Sequence, residues 1–190
     1  LSADFKSRYQ YSCKLLSLME KNPLLVSEDI NQYIGAINNH IFLLSEMKKY
    51  DEALVYINNL RKMEPKSSTS KARIFRTSFV QELHIYIETG WFERGVKLIP
   101  EIEAGLHKFG IAAGNIFKIL LHYNLAYCCF GSGHYAQAVN WIKYILEQPL
   151  ELREDVQTYA RLLNILAHFE LQHKELLESL IRSAERYMQK

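Results

Sequence analysis

The feature that most constrains this chain is a pattern that recurs about every 42 residues. In each copy, an aromatic residue is followed three positions later by a small residue, and apolar residues then recur at helical spacing. The small residues are Ala53, Gly95 and Ala138, which lie 42 and 43 positions apart. A recurrence of this length is typical of stacked structural repeats. It predicts a chain built from copies of one supersecondary unit.

Each recurring segment is preceded by another amphipathic stretch, so the repeating unit is predicted to be a pair of helices. These first helices are expected at about 28–48, 70–89, 112–132 and 153–172. Extending the period forward reaches Ser179, and extending it backward reaches Tyr11, which is bulky and is the weakest match. A lone helix pair cannot bury its apolar faces, so neighbouring pairs are expected to stack.

The scarcity of chain-breaking residues supports an all-α fold. Gly and Pro make up only 12 of 190 residues, which argues against a sandwich or barrel with its frequent turns. Three prolines follow the predicted second helices, namely Pro23, Pro65 and Pro149. Two glycines mark turns within a pair, namely Gly90 and Gly133. Pro100 falls inside a predicted helix and predicts a kink there.

These residues resemble the tetratricopeptide repeat (TPR) family. The clearest match runs from Asn124-Leu125-Ala126-Tyr127 through Gly133-His134-Tyr135 and Ala138 to Pro149, although the interval of 41 to 43 exceeds the usual 34 of the family. The resemblance implies antiparallel helix pairs stacked as a right-handed α-α superhelix. An armadillo- or HEAT-like solenoid, or one compact helical bundle, is the alternative.

The resulting domain prediction is a single TPR-like helical repeat domain over residues 1–190. It consists of a half repeat and four full repeats, at about 1–25, 26–67, 68–110, 111–150 and 151–190. The half repeat looks like the second helix of a pair whose first helix is missing. We therefore expect it to expose an apolar edge unless another segment, or a second copy of the chain in a homodimer, covers it.

The resemblance also implies a binding groove, because the first helices of TPR pairs line a concave face that holds an extended peptide or a partner helix. Carried over by matched positions, the groove residues are Asn38, Phe42, His84, Ile87, Tyr123, Tyr127, Asn164 and His168. This lining is aromatic and polar with little charge. It lacks the cationic arrangement with which some family members hold a terminal carboxylate.

No motif for catalysis, metal binding or a cofactor accompanies the repeat pattern. The closest of the seven histidines, His168 and His173, are five residues apart and do not share a helix face at the spacing of a zinc motif. Cys128 and Cys129 lie in an apolar helix, which is expected to raise their thiol pKa. We expect no catalytic residues, no metal and no cofactor.

Charge and cysteine content restrict the partners further. The net charge of +2 does not suggest direct nucleic-acid binding, although residues 61–76 hold six basic residues and one acid. That segment could accept an anionic partner, but a solvated loop between repeats is the favoured interpretation. No stretch is apolar enough to span a membrane. Three cysteines form no disulfide framework, which favours a cytoplasmic location.

Three functional hypotheses follow. The favoured one is a non-catalytic protein–protein interaction scaffold, a fragment of a larger protein that binds a peptide or partner helix in the groove. The alternative is a regulatory module that senses a ligand or peptide and controls an attached output domain, by analogy with long-repeat bacterial regulators. The third is an enzyme with a pocket near His84, Tyr123 and His168. A structure with two of these residues within hydrogen-bond reach of each other would support it.

Overall fold

The prediction of an all-α chain is confirmed. A computed structural model describes residues 3–149 and 151–189, and within these ranges it contains eleven helices and no strand. The helices are α1 (Ala3–Glu20), α2 (Pro23–Glu28), α3 (Ile30–Glu46), α4 (Tyr50–Arg61), α5 (Ser68–Thr89), α6 (Phe92–Lys97), α7 (Ile99–Ala113), α8 (Asn115–Gly131), α9 (Tyr135–Leu146), α10 (Glu154–Glu170) and α11 (Lys174–Met188).

The helices occur in pairs, as the recurring pattern indicates. The four predicted first helices correspond to α3, α5, α8 and α10. Three of them pack directly against the helix that follows, in the pairs α3–α4, α8–α9 and α10–α11. The chain divides into two compact units, Leu1–Ile85 and Tyr86–Lys190, and the boundary falls within α5.

The same turn follows each of the four first helices. It contains one residue in the left-handed region, with φ between 57° and 77°: Lys48, Gly90, Gly133 and Gln172. The residue after it donates its backbone N–H to the carbonyl five positions earlier, at 2.8–3.0 Å in all four turns. This is the hydrogen bond of a Schellman ending, which stops a helix and satisfies a free carbonyl. The repeat is therefore visible in the backbone.

The turns correct the predicted position of the last repeat. They lie 42, 43 and 39 residues apart, so the final interval is two residues shorter than the predicted 41. The position equivalent to buried Ala53 and Ala138 is therefore Leu177, which is half-buried. Ser179 is exposed and donates its hydroxyl to the Leu176 carbonyl. The prediction that Ser179 is equivalent to these alanines is wrong, because the turn before α11 lies two residues earlier than the interval of 41 predicts.

The predicted kink at Pro100 is present as a break between two helices. α6 ends at Lys97 and α7 begins at Ile99, so the proline lies in the first turn of α7. Proline is tolerated there because the first N–H groups of a helix have no partner within the helix. Pro23 likewise begins the short helix α2, three residues after α1 ends.

The core of the first unit is centred on α3, which packs against α1 and α4. Its buried residues recur at helical spacing: Ile34, Ile37, Ile41 and Leu44. His40 is also buried and joins the three helices. Its ring stacks on Tyr9 of α1 and meets Tyr56 of α4 edge-on, and its Nδ1 lies 3.0 Å from Ser12 Oγ.

Contacts between successive first helices also occur in this unit. The side chain of Gln81 on α5 donates to Asn38 Oδ1 on α3 at 2.9 Å, and Ser70 on α5 donates to Asn31 Oδ1 at 3.2 Å. These bonds join the two first helices at two points, which lie seven residues apart on α3.

The core of the second unit lies between α8, α9 and α10. α8 packs against both of the other helices, and they pack against each other. The buried cluster draws on all three, with Ile119, Ala126, Ile142, Ile145, Val156, Ala160 and Leu163. In the same unit, His122 of α8 stacks on Tyr144 of α9, with ring centroids 4.0 Å apart, and meets Trp141 edge-on.

Candidate functional site

In the first unit, the three predicted groove residues have different surroundings. Asn38 is half-buried and accepts the hydrogen bond from Gln81, so its carbonyl is already engaged. Phe42 is exposed on α3, and His84 is half-buried on α5. Of the three, Phe42 presents the largest apolar surface.

In the second unit, the predicted tyrosines lie together. The rings of Tyr123 and Tyr127 on α8 are 6.1 Å apart, and Tyr127 also lies 6.2 Å from the ring of Phe92 on α6. Tyr127 is partly exposed and Tyr123 is half-buried. Ile87, at the end of α5, is half-buried.

The two predicted residues of α10 do not form an open surface. Asn164 is only 7% exposed, and half-buried His168 has its Nδ1 3.0 Å from Nδ1 of His173 in the following turn. Both positions follow from Tyr123 and Tyr127 by the predicted interval of 41. With the interval of 39 shown by the turns, the positions equivalent to Tyr123 and Tyr127 become Leu162 and Leu166. Phe130, which follows them on the same face of α8, is equivalent to Phe169.

These corrected positions carry the longest exposed apolar face on α10. Together with Tyr159 they form a row at spacings of three, four and three, and each side chain is between 41 and 60% exposed. We call Tyr159, Leu162, Leu166 and Phe169 the α10 stripe. Periodicity alone would have found this row if the register of the last repeat had been known.

The α10 stripe continues toward the tyrosines of α8. Burial is the main cause that raises the pKa of Tyr123 to about 12, and the nearby hydroxyls of Tyr127 and Tyr159 raise it further. The Tyr123 hydroxyl therefore stays protonated at neutral pH and can donate a hydrogen bond. Tyrosines of this kind combine a large apolar area with a polar tip, which suits a protein-binding surface.

A second apolar surface lies in the first unit, in a groove between α1 and α3. It encloses about 710 Å³ and is open to solvent. Its lining residues are Arg8, Tyr11, Ser12, Lys14, Leu15, Leu18, Ala36, Asn39, Phe42 and Leu43. The predicted apolar edge of the half repeat is thus present, and Phe42 belongs to it. We call this surface the α1–α3 groove.

The candidates for catalysis are distributed over the two units. His84 belongs to the first unit, whereas Tyr123 and His168 belong to the second. Within residues 3–149 and 151–189, no group of three or more His, Cys, Asp or Glu side chains is arranged to hold a metal ion. The prediction for the thiols is confirmed, because burial raises the pKa of both Cys128 and Cys129 to about 12.

The basic segment 61–76 is partly used inside the first unit. The Arg61 guanidinium forms an ion pair with buried Glu82, donates through Nε to Ser78 Oγ at 3.2 Å, and lies 4.0 Å from the centre of the Phe79 ring. Arg61 therefore fastens α4 to α5. This part of the charge cluster is structural.

The fold and these surfaces define a class, namely an all-α chain of repeated helix pairs with exposed apolar faces. No protein-family model, curated protein or solved structure matches the chain. Among the helices that the structure describes, none is long and apolar enough to cross a membrane.

Proposed function

We propose that this chain is a non-catalytic interaction scaffold that binds a peptide or partner helix on the face formed by α8 and α10. The observation that carries the proposal is the α10 stripe, a row of four exposed apolar residues beside the tyrosines of α8. Exposed apolar rows rimmed by polar groups are typical of protein-binding sites. An amphipathic helix docks on such a row through its own apolar residues at spacings of three and four.

The repeated turns support the TPR-like part of the proposal. They make α8 and α10 equivalent first helices, and these two helices pack against each other. In the first unit, α3 and α5 are equivalent first helices joined by the Gln81–Asn38 hydrogen bond. Adjacent first helices are what a right-handed α-α superhelix requires, and the superhelix itself remains part of the proposal.

The test is site-specific photo-crosslinking from the α10 stripe in cells. A photoreactive residue replaces Leu166, and the matched control carries it at Glu178, which is exposed on α11. We expect Leu166 to give a discrete crosslinked partner that Glu178 does not give. The crosslink is then repeated with Leu162→Ser and Phe169→Ser, which should abolish it while circular dichroism shows unchanged helicity.

The same partner crosslinked equally from both positions would overturn the assignment of the binding face. A crosslink that survives the two serine substitutions would do the same. The regulatory alternative uses the same face and differs in having an output domain attached to the chain, which the sequence flanking this segment would reveal. For either function we propose a cytoplasmic location, because Cys13, Cys128 and Cys129 are free thiols.

A further inference from the structure

The second unit shows what normally covers the edge between a second helix and the next first helix. There, α8 packs against both α9 and α10. Its His122 covers Trp141 and Tyr144 of α9, which are half-buried as a result. On α10, Ala160 and Leu163 are buried in the cluster that α8 completes.

In the first unit, the corresponding edge lacks such a helix among the described residues. α1 and α3 pack together as α9 and α10 do, and only the six-residue α2 lies against both. Aligning the buried pair Leu16 and Met19 with Ile142 and Ile145 places Leu15 and Leu18 where Trp141 and Tyr144 lie. Leu15 and Leu18 are 49% and 60% exposed.

The α3 side of the groove differs from α10 at one position. The turns align Ala36, Asn39 and Leu43 with Ala160, Leu163 and Ala167 of α10. The three α10 residues are buried, and so are Ala36 and Leu43, whereas Asn39 is exposed. The α1–α3 groove therefore has the shape of a site for one helix lying across two others.

The charge of the groove selects the chemistry of that helix. Among its described lining residues, the charged ones are Arg8 and Lys14, both cationic and both on α1. A docked helix with acidic residues beside its apolar row would place carboxylates near these two cations. Opposite charges across an interface favour the correct partner and repel the wrong one.

We propose that the α1–α3 groove binds an amphipathic helix of a partner protein, with an apolar row flanked by acidic residues. A second copy of this chain is a poorer occupant, since a two-fold interface would bring Arg8 and Lys14 of both copies into one contact. The groove shares no residue with the α10 stripe, so the proposal stands independently of the function proposed above.

The test uses the whole chain and two synthetic peptides of 17 residues, the length of α8. Both carry the same leucine row at spacings of three and four, but one is flanked by Glu and the other by Lys. We expect fluorescence anisotropy at low salt to show about tenfold tighter binding of the Glu peptide, from two exposed ion pairs. The double variant Arg8→Glu, Lys14→Glu should reverse the preference between the peptides.

The matched control is Lys97→Glu, Lys174→Glu, which changes the net charge equally on exposed positions of the second unit. It should leave the preference unchanged, as should Leu166→Ser in the α10 stripe. Leu15→Asp should abolish binding of both peptides. If that variant misfolds, the double variant Arg8→Glu, Lys14→Glu still tests the proposal.

Three results would overturn the proposal. One is equal affinity for the two peptides, and another is a preference that the double reversal leaves unaltered. The third is sedimentation showing that the chain alone is a dimer that Leu15→Asp dissociates, because a second copy would then be the occupant. Failure to obtain a crosslink from Leu166 would overturn only the function proposed for the α10 stripe.

Discussion

The shared turn predicts opposite effects of glycine and alanine at equivalent positions. Gly133 and Gln172 occupy the same left-handed position in two turns of the second unit, with φ of 77° and 60°. We expect Gly133→Ala to destabilise this unit and Gln172→Gly to stabilise it. The comparison tests whether the two turns share one backbone conformation.

The magnitude follows from the backbone alone. A Cβ at Gly133 would meet no atom within 4 Å, so the substitution introduces no clash. The left-handed conformation costs a residue with a side chain about 1–2 kcal/mol. Alanine recovers about 0.4–1 kcal/mol, because it reduces the entropy of the unfolded chain. The net loss is about 1 kcal/mol, and Gln172→Gly should gain a similar amount.

The assay is urea unfolding followed by tryptophan fluorescence. Both tryptophans, Trp91 and Trp141, lie in the second unit, so the signal reports on the unit that carries the substitutions. The matched control is Gly110→Ala within α7, where φ is not positive and the new Cβ has room. There alanine should stabilise the helix by about 0.5–1 kcal/mol.

A Gly133→Ala variant as stable as the natural protein would refute this reasoning. So would a Gln172→Gly variant that is less stable, since it would mean that the glutamine side chain outweighs its backbone strain. If Gly133→Ala and Gly110→Ala both raise the free energy of unfolding, the turn does not hold the left-handed conformation in solution.

Two further predictions concern titratable side chains of known burial. Burial lowers the pKa of His122 against the opposing effect of its hydrogen bond to the Lys118 carbonyl. The unfolded chain therefore binds this proton more readily, and the free energy of unfolding should fall as the pH drops below about 6.5. His122→Gln, which can keep a donor to that carbonyl, should make the fall shallower in urea titrations at pH 7 to 5; equal slopes would contradict this. For the thiols, a short pulse of iodoacetamide followed by peptide mass spectrometry should label half-buried Cys13 first. Cys128 and Cys129, buried and with pKa values of about 12, should react only in urea, and prompt labelling of either would show that α8 opens readily.

Several features of this fold could be read from the sequence because they rest on local chemistry. Gly90 and Gly133 indicated turns, since the left-handed conformation favours glycine. Pro100 indicated the break before α7, since proline cannot continue the hydrogen bonding of a preceding helix. The apolar residues of α3 indicated its buried face through their spacing alone.

Other features depended on contacts between distant residues. Lys48 and Gln172 hold the same turn conformation as the two glycines, but nothing in their side chains indicates it. Sequence spacing alone therefore aligns the last repeat on Ser179 and predicts a groove at Asn164 and His168, two residues beyond the positions that the turn gives. The backbone N–H of His173 donates to the His168 carbonyl, which is the hydrogen bond of the shared turn. This bond gives the correct alignment of the last repeat and so identifies the α10 stripe.

The sequence by itself determined that this chain is helical, paired and repeated, because helix periodicity and turn residues act over a few positions. Which apolar faces are covered was decided only by the tertiary structure. Leu15 on α1 and Trp141 on α9 look alike as apolar residues of amphipathic helices. One is exposed and the other half-buried because α8 covers α9, and burial depends on the neighbouring helix.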